Sequence, residues 1–167
     1  MRVALDYRPA TVAPSSGIAR QVLALEHALR ARDATEVVLL TEAPLDHPQR
    51  ETAVCPAWAS PLEGLQRPQV RWRFERAFLP RAIHAQRIDL YIATANMGLP
   101  LCRKPAGTRY VLVLHDLFQL THRNFHRSRL KALAYRLIDG ASIAWSVWQA
   151  DRVWCPSQFS CYEAARL

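Results

Sequence analysis

Two kinds of apolar pattern alternate along the chain. Residues 2–7, 36–41, 88–94 and 110–114 form short, largely apolar runs, of which 110–114 is the most continuous and is rich in β-branched side chains. Runs of that length are characteristic of strands buried on both faces. Between them Ile18, Val22, Leu25 and Leu29 recur at helical spacing, after a loop over residues 8–16. Residues 69–86 read as a second helix, which Pro80 should kink or break. From Ser128 onward Leu130, Leu133, Leu137, Ile138, Ala141 and Ala144 mark one face of a long amphipathic helix. Residues 152–156 give a last short strand, and Ser157 opens a closing helix. A weaker strand falls at 52–55, inside the proline-rich stretch 42–61. Strands alternating with helices predict βαβ units, and therefore an α/β domain with a mainly parallel sheet. Val111, Leu112 and Val113 are expected near its centre.

In such a sheet, ligands sit outside the carboxyl ends of the strands. The 110–114 run ends in His115 and Asp116. An imidazole exchanges protons near neutral pH, and a neighbouring carboxylate accepts hydrogen bonds from hydroxyls. A histidine that merely bonds its neighbours at a strand end is the competing expectation. At the first strand, Ser15 or Ser16 can cap the following helix. Gly17 allows close approach to a helix N-terminus that attracts anions, but taken alone it reads first as part of a plain helix cap. Gly98 lies in a turn with Leu99 and Pro100 near the ligand edge.

Charge sharpens this picture. The net charge is +8. Residues 1–59 carry 6 basic and 7 acidic side chains, whereas residues 60–167 carry 16 and 7, a balance of −1 against +9. So one-sided a charge points to an anionic partner: phosphate-bearing ligands, nucleic acid or an anionic lipid surface. Arg71, Arg73, Arg76 and Arg81 interleave with Trp72, Phe74 and Phe78. That arrangement suits a helix lying on an anionic membrane, or a core-facing helix with a solvated arginine face. The sequence is 50% hydrophobic, which argues against disorder. No uncharged run, 140–150 included, reaches the ~20 residues of a membrane span. The segment 2–6 is too short and too soon charged to be a signal peptide. Cys55, Cys102, Cys155 and Cys161 lack any C-x-x-C spacing and read as reduced thiols of a cytoplasmic protein. His115, His122, His126 and Cys155 repeat no metal-site spacing, so no metal is expected. Residues 159–167 are helix-like without a terminating glycine or proline, and read as a chain stopping in mid-course, as an excised domain or truncated gene product would.

Three motifs in order carry a resemblance: Ser16-Gly-Ile-Ala-Arg20 before an amphipathic helix, His115-Asp-Leu-Phe-Gln-Leu-Thr-His122, and Pro156-Ser-Gln-Phe-Ser160 after a long helix. Together they resemble glycosyltransferase family 4, whose members have the GT-B fold of two Rossmann-like domains. The sequence departs from the pattern at Gln119, where proline is common, and at Arg123, where proline often follows the histidine. The resemblance covers nearly the whole chain but only the amino-terminal, acceptor-side half of such an enzyme. The paired-glutamate motif E-x7-E of the donor half is absent.

By resemblance, the chain is expected to be a single Rossmann-like domain, residues 1–167, lacking the carboxy-terminal donor-binding domain. The implied activity is retaining transfer of a sugar from a nucleotide-sugar to a saccharide or lipid-linked acceptor, with no metal or other cofactor. The isolated chain is expected to be inactive without a donor domain in the same or another chain. His115 and Asp116 are the implied catalytic pair. Gly17, Arg20, Gly98 and His122 are implied to bind substrate, and Ser157 to cap its helix. The expected place is the cytoplasm, peripheral to the inner face of the cell membrane. The rival expectation is a non-catalytic basic α/β module that binds nucleic acid or a partner chain; no nucleic-acid-binding motif supports it.

Overall fold

A computed structural model of the chain describes residues 1–47, 50–56, 68–117 and 129–166, with the side chains of residues 129 and 131 also left aside. Among these residues six strands form one sheet: β1 (Arg2–Asp6), β2 (Glu36–Thr41), β3 (Thr52–Val54), β4 (Leu90–Ala93), β5 (Arg109–Val113) and β6 (Arg152–Trp154). Every pairing is parallel, and the order is β3-β2-β1-β4-β5-β6. The fold is thus α/β and Rossmann-like, as the alternation of runs predicts. β5 lies one strand in from the edge rather than at the centre, which β1 and β4 occupy. Val111 and Leu112 are nevertheless buried.

The central strands are apolar throughout because both of their faces are covered. Val3, Leu5, Val37, Leu39, Ile92 and Val111 pack on one side with Val22 and Leu29 of α2 (Gly17–Arg30). Ala4, Val38, Leu40, Tyr91, Tyr110 and Leu112 face the other side, against Phe74, Leu79 and Ile83. The short α1 (Arg8–Val12) links β1 to α2, whose N-cap is Ser16: its hydroxyl accepts from the Ala19 N–H at 3.1 Å.

The helix expected at 69–86 is built in three pieces: α3 (Pro68–Arg73), a π turn (Phe74–Phe78) and α4 (Leu79–Ala85). Pro80 stands in the first turn of α4, where its missing N–H is not needed. The wide turn just before it, closed by the Leu79 N–H on the Phe74 carbonyl, absorbs the proline without breaking the helix.

The long helix α5 (Arg129–Gln149) turns the opposite face inward from its apolar stripe. Ser142, Ile143, Ser146 and Gln149 are buried, whereas Leu130 is 80% exposed and Leu133, Leu137 and Trp148 are also exposed. Polar anchors explain the choice. Trp145 Nε1 donates to the Pro100 carbonyl at 3.1 Å, Gln149 Nε2 donates to the Cys102 carbonyl at 2.8 Å, and Arg71 bonds Ser142 Oγ at 2.8 Å. The closing helix α6 (Gln158–Ala164) begins at the N-cap Ser157, whose hydroxyl accepts from the Ser160 N–H at 3.1 Å.

Candidate active site at the carboxyl edge of the sheet

The first two connections carry the chain outward from β1 to β2 and β3, and the next returns it to the other flank of β1 as β4. Strand order therefore reverses between β1 and β4, and a crevice at such a point is where open α/β sheets bind ligands. The groups at this edge come from the ends of β1, β4 and β5.

At the end of β5, His115 and Asp116 are half-buried. The Asn96 side chain holds their backbone: Oδ1 accepts from the His115 N–H at 2.8 Å and from the Asp116 N–H at 3.4 Å. Its amide nitrogen donates to Asp116 Oδ1 at 3.4 Å. The His115 ring is fixed by Nε2, 2.9 Å from the Thr94 carbonyl. A carbonyl only accepts, so Nε2 carries the hydrogen and a neutral ring presents Nδ1 as its acceptor. The Ser160 hydroxyl, in the first turn of α6, donates to the His115 carbonyl. His115 thus combines the two expectations: it stands at the ligand edge, and its ring is bonded to backbone.

At the end of β1 lies a buried ionic cluster that the sequence reading did not single out. Asp6 and Arg8 pair in bidentate fashion, at 2.8 Å and 2.6 Å. The Arg8 guanidinium also stacks 3.4 Å above the Phe74 ring. Burial opposes the charged form of Arg8, but Asp6 reverses that effect and leaves its pKa raised. Thr94 Oγ1 donates to the Asp6 carbonyl at 2.5 Å and ties β4 to β1. Gly98 lies over the pair with φ +122°; a Cβ there would be 3.5 Å from Asp6 Oδ2 and 3.6 Å from Arg8 Nη2. Its carbonyl accepts from the Tyr91 hydroxyl at 3.0 Å.

Glu75, in the π turn, is 1% exposed. Burial pushes its carboxyl up to about 7, and Arg71 and Arg8 offset this only in part. Glu75 Oε1 lies 3.7 Å from Arg71 Nε, and neither atom makes a hydrogen bond. Arg71 spends its other nitrogens on Asp139 Oδ1 (3.1 Å) and Ser142.

The structure thus gathers His115 and Asp116 around Asn96 and sets Gly98 two residues further along the same turn. Gly17 and Arg20 open α2, both exposed, and a Cβ on Gly17 would meet nothing within 4 Å. Among the described residues, the hydrogen bonds around His115 do not extend to them. His122 lies outside the described residues. Thr94, Asn96 and Ser160 are the contacts that sequence reasoning missed. Their signal was present as polar side chains directly after an apolar strand or a cap. Among the described residues, no group of three His, Cys, Asp or Glu side chains could hold a metal ion.

Away from this edge, Trp72, Arg73, Arg76, Pro80 and Arg81 line an open groove of about 630 Å³. No helix among the described residues is long and apolar enough to cross a membrane.

Compared with known protein families, residues 15–167 match a family model described as Glycosyltransferase Family 4. No curated protein and no solved structure matches the chain.

Proposed function

This chain belongs to glycosyltransferase family 4, and from that premise we propose that the edge formed by β1, β4 and β5 is the acceptor-side wall of a sugar-transfer cleft. Membership gives the chain a general role in sugar transfer and implies a nucleotide-sugar donor and an acceptor. The observation that carries the finer reading is the Asn96-centred network, which holds a histidine and a carboxylate side by side where strand order reverses. In this reading His115 Nδ1 accepts a hydrogen bond from a sugar hydroxyl and Asp116 orients the transferred sugar. The bond from the anomeric carbon to the diphosphate is replaced by one to the acceptor oxygen, whose proton passes to the departing diphosphate oxygen, with configuration retained. The exposed N-terminus of α2 at Gly17, with Arg20 beside it, stabilises the negative charge of the departing diphosphate. Gly98 shapes the cleft floor, and His122 follows in the same motif.

The donor-binding half lies outside these residues, since no two glutamates here have the E-x7-E spacing. The acceptor is a saccharide or a lipid-linked saccharide at the cytoplasmic face of a membrane. The +9 balance after residue 59 and the arginine groove around Trp72 support that placement. The test is His115→Ala in a protein carrying both halves. Turnover should fall by about 10² or more, with stability changed by no more than about 1 kcal/mol. A destabilised but fully active variant would return His115 to a structural role.

A further inference from the structure

We propose that Asn96 is a positioning residue of this site, a side chain that sets the geometry of His115 and Asp116 together. The inference rests on the reading that this pair serves sugar transfer. Asn96 is 8% exposed, so it works from behind the pair rather than from the cleft. Its orientation is fixed by its partners. Two N–H groups converge on one terminal atom, which must be the oxygen, and the other atom faces a carboxylate and must be the nitrogen.

No other side chain reproduces this. Aspartate keeps the acceptor but sets a second carboxylate against Asp116. Glutamine is one methylene too long, and serine lacks the second arm. The clamp is itself anchored. Thr94, two residues earlier, gives its carbonyl to the His115 ring and its hydroxyl to the Asp6 carbonyl of β1. Backbone, ring and carboxylate of the pair are thus referenced to one short segment after β4. The bond from Ser160 to the His115 carbonyl holds the opposite side of the same peptide.

Asn96→Ala and Asn96→Asp in this chain, followed by amide hydrogen exchange and by nitrogen chemical shifts of the His115 ring, test the idea without any substrate. In the unsubstituted chain the ring should be held as the Nε2–H tautomer. Asn96→Ala should speed exchange at His115 and Asp116 by about tenfold, the factor that corresponds to one hydrogen bond of ~1.4 kcal/mol. Exchange at Ile92 and Leu112 should stay unchanged, and the ring should populate both tautomers. Asn96→Asp keeps the acceptor but sets a second carboxylate against Asp116, so it should preserve protection at His115, while the repulsion pushes Asp116 away and speeds exchange at its N–H, whose bond is the longer of the two at 3.4 Å. If Asn96→Ala does not fold, Asn96→Asp alone decides between these outcomes. Uniformly faster exchange across β4 and β5, with the ring tautomer unmoved, would make Asn96 an ordinary fold residue and overturn the proposal. Unchanged exchange at both residues would overturn it equally. Failure of the site itself registers elsewhere, in the turnover of His115→Ala, so a true clamp on an unused histidine is distinguishable from no clamp.

Discussion

Glu75→Gln isolates one proton. The carboxyl is buried among two cations that already have anions of their own: Arg8 is matched by Asp6, and Arg71 by Asp139. An ionised Glu75 is a third negative charge with no cation left over, which is why burial outweighs the guanidiniums and holds it near 7. In the unfolded chain it titrates at its ordinary value of 4.5. Between those two values the folded state binds more protons than the unfolded one, so stability falls as pH rises through the window. The gap of roughly 2.5 pH units, at about 1.4 kcal/mol per unit, sets the loss at about 3 kcal/mol at most. Glutamine fills the same volume and carries no titration. Urea unfolding at pH 4, 7 and 8.5 should give near-equal stability for the two proteins at pH 4, below both values. By pH 8.5 the variant should be the more stable, by up to about 3 kcal/mol, with unchanged m-values. Every other titrating group is shared, so the difference belongs to Glu75. A variant less stable than the parent at pH 8.5 would mean that the 3.7 Å contact with Arg71 dominates, and would refute the argument.

Three further outcomes are expected. Arg8→Ala leaves the Asp6 carboxylate 1% exposed and without its cation, which should cost about 3–5 kcal/mol in denaturant unfolding; a loss under 1 kcal/mol would show that Asp6 finds another partner. Gly98→Ala should lower stability by about 1–3 kcal/mol, because φ +122° is strained for any L side chain while the nearest atoms leave ordinary room; an unchanged melting temperature would contradict this. Binding to vesicles containing anionic lipid should weaken with salt and with Trp72→Ala or Arg76→Gln, each basic group contributing about 1 kcal/mol at most. Binding to duplex DNA without binding to lipid would favour the nucleic-acid module instead.

The sheet was legible because its strands are largely apolar runs, and 36–41 in particular coincides with β2. Helix caps were equally readable, since Ser16 and Ser157 act through local hydrogen bonds that need no tertiary context. The α5 helix was misleading for a physical reason. Periodicity identifies an apolar face but not which face is held, and here Ser142, Ser146 and Gln149 are the anchored ones. His115 and Asp116 could be placed at a strand end from sequence. Their binding to Asn96 and Thr94 could not, because it depends on β4 lying beside β5. Asp6, Arg8 and Glu75 escaped for a related reason: charged residues in a sequence read as solvated until packing closes over them.

The position of β1 also sets the order in which the molecule can be made. Arg2 faces Glu36 across one flank, whereas Val3 faces Leu90 across the other. Closing a loop of roughly 90 residues costs less than about 1 kcal/mol more than closing one of roughly 35, so the penalty is small at equilibrium. In time it is larger. During synthesis β2 emerges first, and about 50 further residues must be added before β4 is available. At ~5–20 residues per second that is an interval of about 3–10 s. Throughout it, a β1 already paired with β2 would have its second edge, with Val3 and Leu5, without the partner β4. The crevice between β1 and β4 therefore cannot form until β4 has been synthesised.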